Sequence, residues 1–333
     1  HTTPDPLSVN KYLRAMVDMG IEYCFMEVSS HGIHQKRITG LKFKAGVFTN
    51  LTHDHLDYHK TFKEYRDTKK TLFDSLNETA FALVNADDKN SKVMVQNCKA
   101  KTYTYALHSY ADFSTQVLEN QFKGMLLKIN QHEIWTQMLG EFNAYNILAV
   151  YATTQLLDQD EWESLKAISQ LKSVPGRFQT FETPKNLMVV VDYAHTPASL
   201  QCALTTLRDH FKGKIWCVFG CGGNRDEGKR PIMGEIAEAN ADYLVLTDDN
   251  PRDEAGDRIV SQILSGVKDP SKVSVIRDRA SAIDYAISNA VSTDVVLIAG
   301  KGHETYQDIS GNKTNFNDMA HAKIALKDRR SSS

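Results

Sequence analysis

Leu187-Met188-Val189-Val190-Val191-Asp192-Tyr193-Ala194-His195-Thr196-Pro197 passes from an unbroken apolar run into a polar turn, then into a proline that opens a helical pattern. An apolar run without alternation predicts a strand covered on both faces, as in a parallel sheet. The same grammar recurs at Ile215–Gly220, Ala241–Thr247, Val273–Arg277 and Asp294–Gly300. Helical patterns lie between these runs, near Pro197–Phe211, Pro231–Ala239, Asp257–Ser265 and Arg279–Ala290. Regular strand–helix alternation predicts a mostly parallel sheet with helices on both faces. Ligands in such folds sit at the carboxyl ends of the strands.

Upstream, Ser173-Val174-Pro175-Gly176 interrupts any helix and is the expected boundary between a first domain, 1–174, and a second, 175–333. The first domain opens with a helical stripe over Leu7–Met19 (Val9, Leu13, Met16, Val17), ended by Gly20. Strands are predicted at Ile21–Val28, Ala45–Leu51 and Thr79–Asn85, with a helix over Thr61–Leu76. The runs Lys101–Tyr105, Ser114–Leu118, Met125–Ile129 and Glu133–Met138 alternate in polarity and predict a small antiparallel sheet. Helices follow near Asn143–Leu157 and Trp162–Leu171. The expected class is α/β throughout.

A length of 333 residues suits two domains. With 39 basic against 41 acidic side chains the formal charge is -2, which favours neither nucleic acid nor an anionic membrane. No apolar run approaches the roughly 20 residues of a membrane helix. The five cysteines are scattered, and Cys217 and Cys221 lack the spacing of a zinc knuckle, so a reducing cytoplasmic setting is expected. The chain opens His1-Thr2-Thr3-Pro4 without an initiator methionine, as a processed product or a fragment would.

Polar residues crowd the predicted strand ends. Ile21–Val28 delivers Glu27, Ser29, Ser30 and His31. Ala45–Leu51 runs into His53-Asp54-His55-Leu56-Asp57-Tyr58-His59. Glu27 and His55 on one sheet edge could meet around a hard cation such as Mg2+. His53-x-His55-x-Asp57 resembles the signature of metallo-β-lactamase-type hydrolases, but Tyr58 stands where a histidine is required. In the second domain Gly220-Cys221-Gly222-Gly223-Asn224-Arg225, Asp248-Asp249-Asn250-Pro251-Arg252 and Gly300-Lys301-Gly302-His303-Glu304 all follow strands. Guanidinium and carboxylate groups on one edge suit a zwitterion such as an amino acid. No Walker phosphate loop occurs: Gly213-Lys214, Gly228-Lys229 and Gly300-Lys301 all lack the following Ser or Thr.

Together, Met26-Glu27-Val28-Ser29-Ser30-His31, Thr49-Asn50-Leu51-Thr52, Asp54-His55-Leu56-Asp57, Gly176-Arg177-Phe178, Asp192-Tyr193-Ala194-His195-Thr196-Pro197 and Gly300-Lys301-Gly302-His303-Glu304 resemble the Mur ligases of peptidoglycan synthesis. The resemblance covers essentially the whole chain. It implies a central ATPase-type domain followed by a Rossmann-like carboxyl-terminal domain. A UDP-binding domain and the phosphate loop would lie upstream, and without them the chain is expected to be inactive alone.

The implied activity is ATP- and Mg2+-dependent amide formation through an acyl phosphate. In the branch resembled most, meso-2,6-diaminopimelate is added to UDP-N-acetylmuramoyl-L-Ala-D-Glu. By the same resemblance, Glu27 and His55 hold Mg2+, with Lys69 as a carbamate, and His195 lies in the catalytic cleft. Thr2, Thr3, Ser29, Gln35 and Arg37 contact the muramoyl dipeptide. Asn143, Asn146, Arg177 and Asp192 contact ATP. Arg225, Asp249, Asn250, Arg252, Gly300 and Glu304 form the diaminopimelate site, where Arg252 pairs with the distal carboxylate that lysine lacks. A lysine-adding relative, a folylpolyglutamate-synthetase-like ligase and a non-catalytic binding fragment are the alternatives. A monomer is expected.

Overall fold

Each domain is built around its own six-stranded sheet. The computed structural model describes residues 2–182 and 187–331; His1, residues 183–186, and Ser332 and Ser333 of the serine end lie outside the described residues. In the first domain the strands are β1 (Ala45–Phe48), β2 (Phe81–Asn85), β3 (Lys101–Ala106), β4 (Phe113–Gln121), β5 (Gly124–Ile129) and β6 (His132–Thr136). Its helices are α1 (Pro6–Asp18), α2 (Ser30–His34), α3 (Leu56–His59), α4 (Phe62–Asp74), α5 (Ser91–Met94), α6 (Glu141–Leu156) and α7 (Glu161–Ser169).

The sheet runs β1-β2-β3-β4-β5-β6, parallel as far as β4 and antiparallel from there on. Lys101–Tyr105 was expected in an antiparallel sheet, and this is corrected: β3 pairs parallel with β2, Leu83 opposite Tyr103. Alternation reports that one face is wet, not which way the neighbour runs. The core on one side joins Phe81, Leu83 and Tyr105 to Ile147, Leu148 and Ala152 of α6.

Ile21–Val28 is the second correction. It forms no strand, and Ile21, Tyr23 and Phe25 are exposed. Its composition suits a strand, but a strand exists only through a ladder, and no described strand pairs with it.

The second domain contains β7 (Gln179–Glu182), β8 (Met188–Asp192), β9 (Ile215–Phe219), β10 (Tyr243–Leu246), β11 (Val273–Val275) and β12 (Val295–Ala299). The helices are α8 (Pro197–His210), α9 (Lys229–Asn240), α10 (Gly256–Leu264), α11 (Arg279–Asn289) and α12 (Asp318–Ser331). A hairpin, β13 (Tyr306–Ile309) with β14 (Asn312–Asn315), precedes α12. The spatial order is β11-β10-β9-β12-β8-β7, parallel except for the edge strand β7. Every residue of β9 and β12 is buried, as their unbroken apolar runs predict. The chain reverses direction across the sheet between β9 and β12, which opens a crevice at their carboxyl ends.

The two domains touch at both ends of their interface. At one end Phe122 packs edge-on to Phe211, 5.0 Å between centroids, and His210 Nε2 lies 3.0 Å from the carbonyl of Asn120. At the other, His53 Nε2 lies 2.9 Å from Asp226 Oδ2. Among the described residues no helix is long and apolar enough to cross a membrane.

Candidate active site

Thr3 is fully buried and is the hub of the first cluster. Its hydroxyl donates to the carbonyl of Glu27 (3.0 Å) and accepts from the Ser29 amide (2.9 Å), while its carbonyl accepts from Arg37 Nη1 (2.7 Å). Ser29 caps α2, its hydroxyl accepting from the Gly32 amide at 3.0 Å. Gln35 accepts from Arg37 Nε at 3.1 Å and donates to the Tyr58 hydroxyl at 3.1 Å. Thr3, distant in sequence, thus converges with Ser29, Gln35 and Arg37; Thr2 next to it is exposed.

His55 sits in a left-handed backbone conformation (φ +59°) at the start of α3, its amide bound by the Asp54 carboxylate at 2.9 Å. Asp54 supplies the local interaction that helps a non-glycine residue hold that conformation. Burial lowers the His55 pKa against the pull of Asp54 and Asp57, favouring the neutral imidazole that a metal requires. His31 stands edge-on at 4.9 Å, and burial together with His55 and His59 brings its pKa to about 4.

Lys69 projects from α4 over the Tyr65 ring, 5.4 Å from its centroid. Burial lowers its pKa; Asp54 and Glu27 oppose the shift, which places all three groups in one electrostatic neighbourhood. Lys70, its neighbour in sequence, is paired instead with Asp74 at 2.7 Å. Among the described residues no three His, Cys, Asp or Glu side chains form a ready-made metal site. Glu27 with His55 fits a hard cation that keeps water and phosphate oxygens in its shell, rather than a caged transition metal.

Asp54 also faces the second domain, with His195 Nε2 at 3.7 Å and Lys229 Nζ at 4.0 Å. Burial alone would raise its pKa, but His195, Lys229 and His55 outweigh this and hold the carboxyl far below the usual range.

A cavity of about 340 Å3 opens at the carboxyl ends of β1 and β2, lined by Thr49, Asn50, Asp87, Phe142, Tyr145 and Asn146. Asn143 and Asn146 were expected to present both amides to adenine from one helix face. Only Asn146 lines this cavity. Asn143 is buried, and its amide donates to the carbonyl of Leu139 at 2.7 Å. Arg177 stacks on Tyr193 at 4.4 Å. Asp192 accepts from the amides of Phe178 (2.7 Å) and Ala194 (2.8 Å), so it shapes the turn; burial raises its pKa despite those bonds.

The edge of the second sheet gathers the remaining candidates. Asn250 donates to Glu304 Oε2 at 2.8 Å and accepts from Lys301 Nζ at 2.9 Å; Lys301, wholly buried, also reaches Glu304 at 2.9 Å. Arg252 adopts φ +51° and its Nη1 donates to the Gly223 carbonyl at 2.7 Å. Gly300 has φ +113°, and a Cβ there would lie 2.5 Å from Asp249 Oδ2, so only glycine lets the Asp249 carboxylate close on the strand end. Gly300→Ala should therefore displace the Asp249 carboxylate and weaken binding at the expected diaminopimelate site, read by calorimetric titration. Arg225 is exposed, donating only to the Asn224 carbonyl at 3.0 Å.

Residues 1–154 match the Mur ligase middle domain and residues 176–302 the Mur ligase glutamate ligase domain. A ligase of Cytophaga hutchinsonii is 49% identical over 98% of this chain and 68% of its own length. The chain belongs to the Mur ligase family. That relative, and one from Phocaeicola vulgatus (51% identical, 96% of this chain, 66% of its own), are UDP-N-acetylmuramoyl-L-alanyl-D-glutamate–2,6-diaminopimelate ligases. A solved structure of an enzyme so named is 34% identical, with a TM-score of 0.63, covering 99% of this chain and 69% of that one. The chain spans about two thirds of the length of these Mur ligases.

Reading the sequence for sites assigned no role to Lys229, Lys301 or Asp226. Gly228-Lys229 and Gly300-Lys301 lack the Ser or Thr that follows a phosphate-loop lysine. Lys301 had one further signal, a glycine on either side where a solvated lysine needs none.

Proposed function

We propose that these domains belong to an ATP-dependent ligase that joins meso-2,6-diaminopimelate to UDP-N-acetylmuramoyl-L-alanyl-D-glutamate. The γ-phosphoryl group of ATP passes to the glutamate side-chain carboxylate, the bond to ADP breaking as the bond to the carboxylate oxygen forms. The amine then attacks the acyl carbon, phosphate leaves, and the nitrogen gives up a proton. This chemistry asks the protein for positioning and charge neutralisation rather than a nucleophile.

The first-domain cluster around Thr3, Ser29, Gln35 and Arg37 holds the muramoyl dipeptide. Asn146 and its cavity take the adenine, with Asn143 fixing the helix behind it, and Arg177 and Asp192 close on the nucleotide from the second domain. Glu27, His55 and a carbamylated Lys69 would hold Mg2+, which when bound neutralises phosphate charge.

The observation that carries the reading is the edge where Arg252, Asn250 and Glu304 meet beside Gly300 and Arg225. Glu304 suits the ammonium of a zwitterion, and a guanidinium suits a carboxylate in a bidentate pair. A site built around Arg252 discriminates against lysine, whose distal end would present an ammonium to it.

Calorimetric titration of this chain should show binding of meso-diaminopimelate and not of lysine. Arg252→Lys should erase that preference by roughly 10–100-fold, since a point charge cannot reproduce the planar fork. Equal binding of both amino acids to the unaltered chain would remove the assignment.

A further inference from the structure

Lys229 has no place in the amino-acid site, yet the residue is almost as buried as Lys301. The residue is 5% exposed, and among the described residues its Nζ makes no hydrogen bond; its one charged partner is Asp54, 4.0 Å away across the domain boundary. Among the described residues no protein acceptor fills its three donors, which leaves them open to an anion at the domain boundary.

Its setting is anionophilic in a second, independent way. Lys229 is the first residue of α9, a helix of 12 residues whose N-cap, Gly228, offers no side-chain cap, and whose first turn carries no acidic residue. The positive end of the helix and the lysine therefore point the same way. Asp54, the group they face, is bonded to the amide of His55 and lies in the neighbourhood of Lys69.

We infer that Lys229 is the cation by which the second domain meets the phosphoryl group during its transfer, and that Asp54 holds it at the edge of that site between turnovers. The inference rests on the ligase reading above. The 2.9 Å contact of His53 with Asp226 sets the reach, because Asp226 also accepts from the Gly228 amide at 2.9 Å and so fixes the start of α9. With the acyl phosphate formed, Lys229 neutralises charge on the phosphoryl oxygens, first as they leave ADP and again as phosphate departs from the acyl carbon.

The test uses these two domains in place of their counterparts in a full-length Mur ligase relative. Acyl phosphate formed without diaminopimelate is trapped by borohydride reduction, and steady-state rates are measured in parallel. Lys229→Met should lower both the trapped yield and kcat by about 100-fold, the scale of one lost charge-stabilising donor, with KM for diaminopimelate unchanged. Methionine keeps the stem's packing and Asp54 keeps His195, so the variant should fold with at most a small fall in melting temperature. Should that variant unfold, Lys229→Ala with added methylammonium carries the test, and recovery of rate is expected.

Undiminished trapping and turnover in the variants would overturn the role. So would a raised KM for diaminopimelate at constant kcat, or an alanine variant that methylammonium does not restore. Failure of the unaltered enzyme to yield any trapped product would instead overturn the ligase reading itself.

Discussion

Lys69→Ala should cut turnover by roughly 100–1000-fold, the range seen when a preorganised charge-stabilising group is lost. An alanine leaves a space of the right size for a small carboxylate beside Glu27 and His55, so formate or acetate should return part of the rate. The reason lies in the surroundings of Lys69. Burial lowers its pKa and raises the fraction of free amine, the form that adds to carbon dioxide with loss of a proton. Lys70 provides the control. It is 8% exposed and tied to Asp74, so Lys70→Ala should lower stability and spare the catalytic rate. Normal turnover in Lys69→Ala, with no response to carboxylates, would show that the residue only packs against Tyr65.

Asp318→Asn should destabilise the second domain by about 3–5 kcal/mol, the cost of stranding one charge of a buried pair. Arg279 and Asp318 are both completely buried and joined by two parallel bonds of 2.7 and 2.8 Å. The guanidinium also donates to the carbonyl of Ala299 at 2.9 Å, one residue before Gly300, so the pair anchors the strand end beside the proposed amino-acid site. Urea denaturation followed by circular dichroism reads the loss. The double variant Arg279→Met/Asp318→Leu should recover most of it, because exchanging both ions for apolar groups leaves no stranded charge. A double variant as unstable as the single one would mean that the bond to Ala299, rather than the ion pair, carries the energy.

How far the sequence could be read follows from what each segment needs in order to fold. The strands of the second domain are covered on both faces, so their identity is written in their own residues: Val189, Val190 and Val191 are all 0% exposed, as an unbroken valine run suggests. Ile21–Val28 carries much the same signal, yet Phe25 is 75% exposed. Pairing depends on a partner strand, and no residue within the segment encodes that. Lys101–Tyr105 was recognisable as a strand but not as a parallel one, for the same reason.

The candidate site divides along similar lines. His55, Asn250, Arg252 and Glu304 follow strands, where topology alone makes polar residues informative, whereas Glu27 ends a segment that forms no strand. Asn143 and Asn146 share a helix face in any periodic reading. What separates them is the carbonyl of Leu139, which claims the first amide. Sequence alone assigns Lys229 and Lys301 no role because their surroundings depend on distant partners: Asp54 lies in the other domain, and Asn250 is about fifty residues upstream of Lys301.

The backbone of Arg252 carries one more implication. A left-handed conformation costs a residue with a Cβ about 1–2 kcal/mol and glycine nothing, and at Arg252 the bond from its guanidinium to the Gly223 carbonyl offsets that cost. The same bond fixes where the guanidinium stands, so the strained backbone and the side chain's position at the loop tip come as one unit.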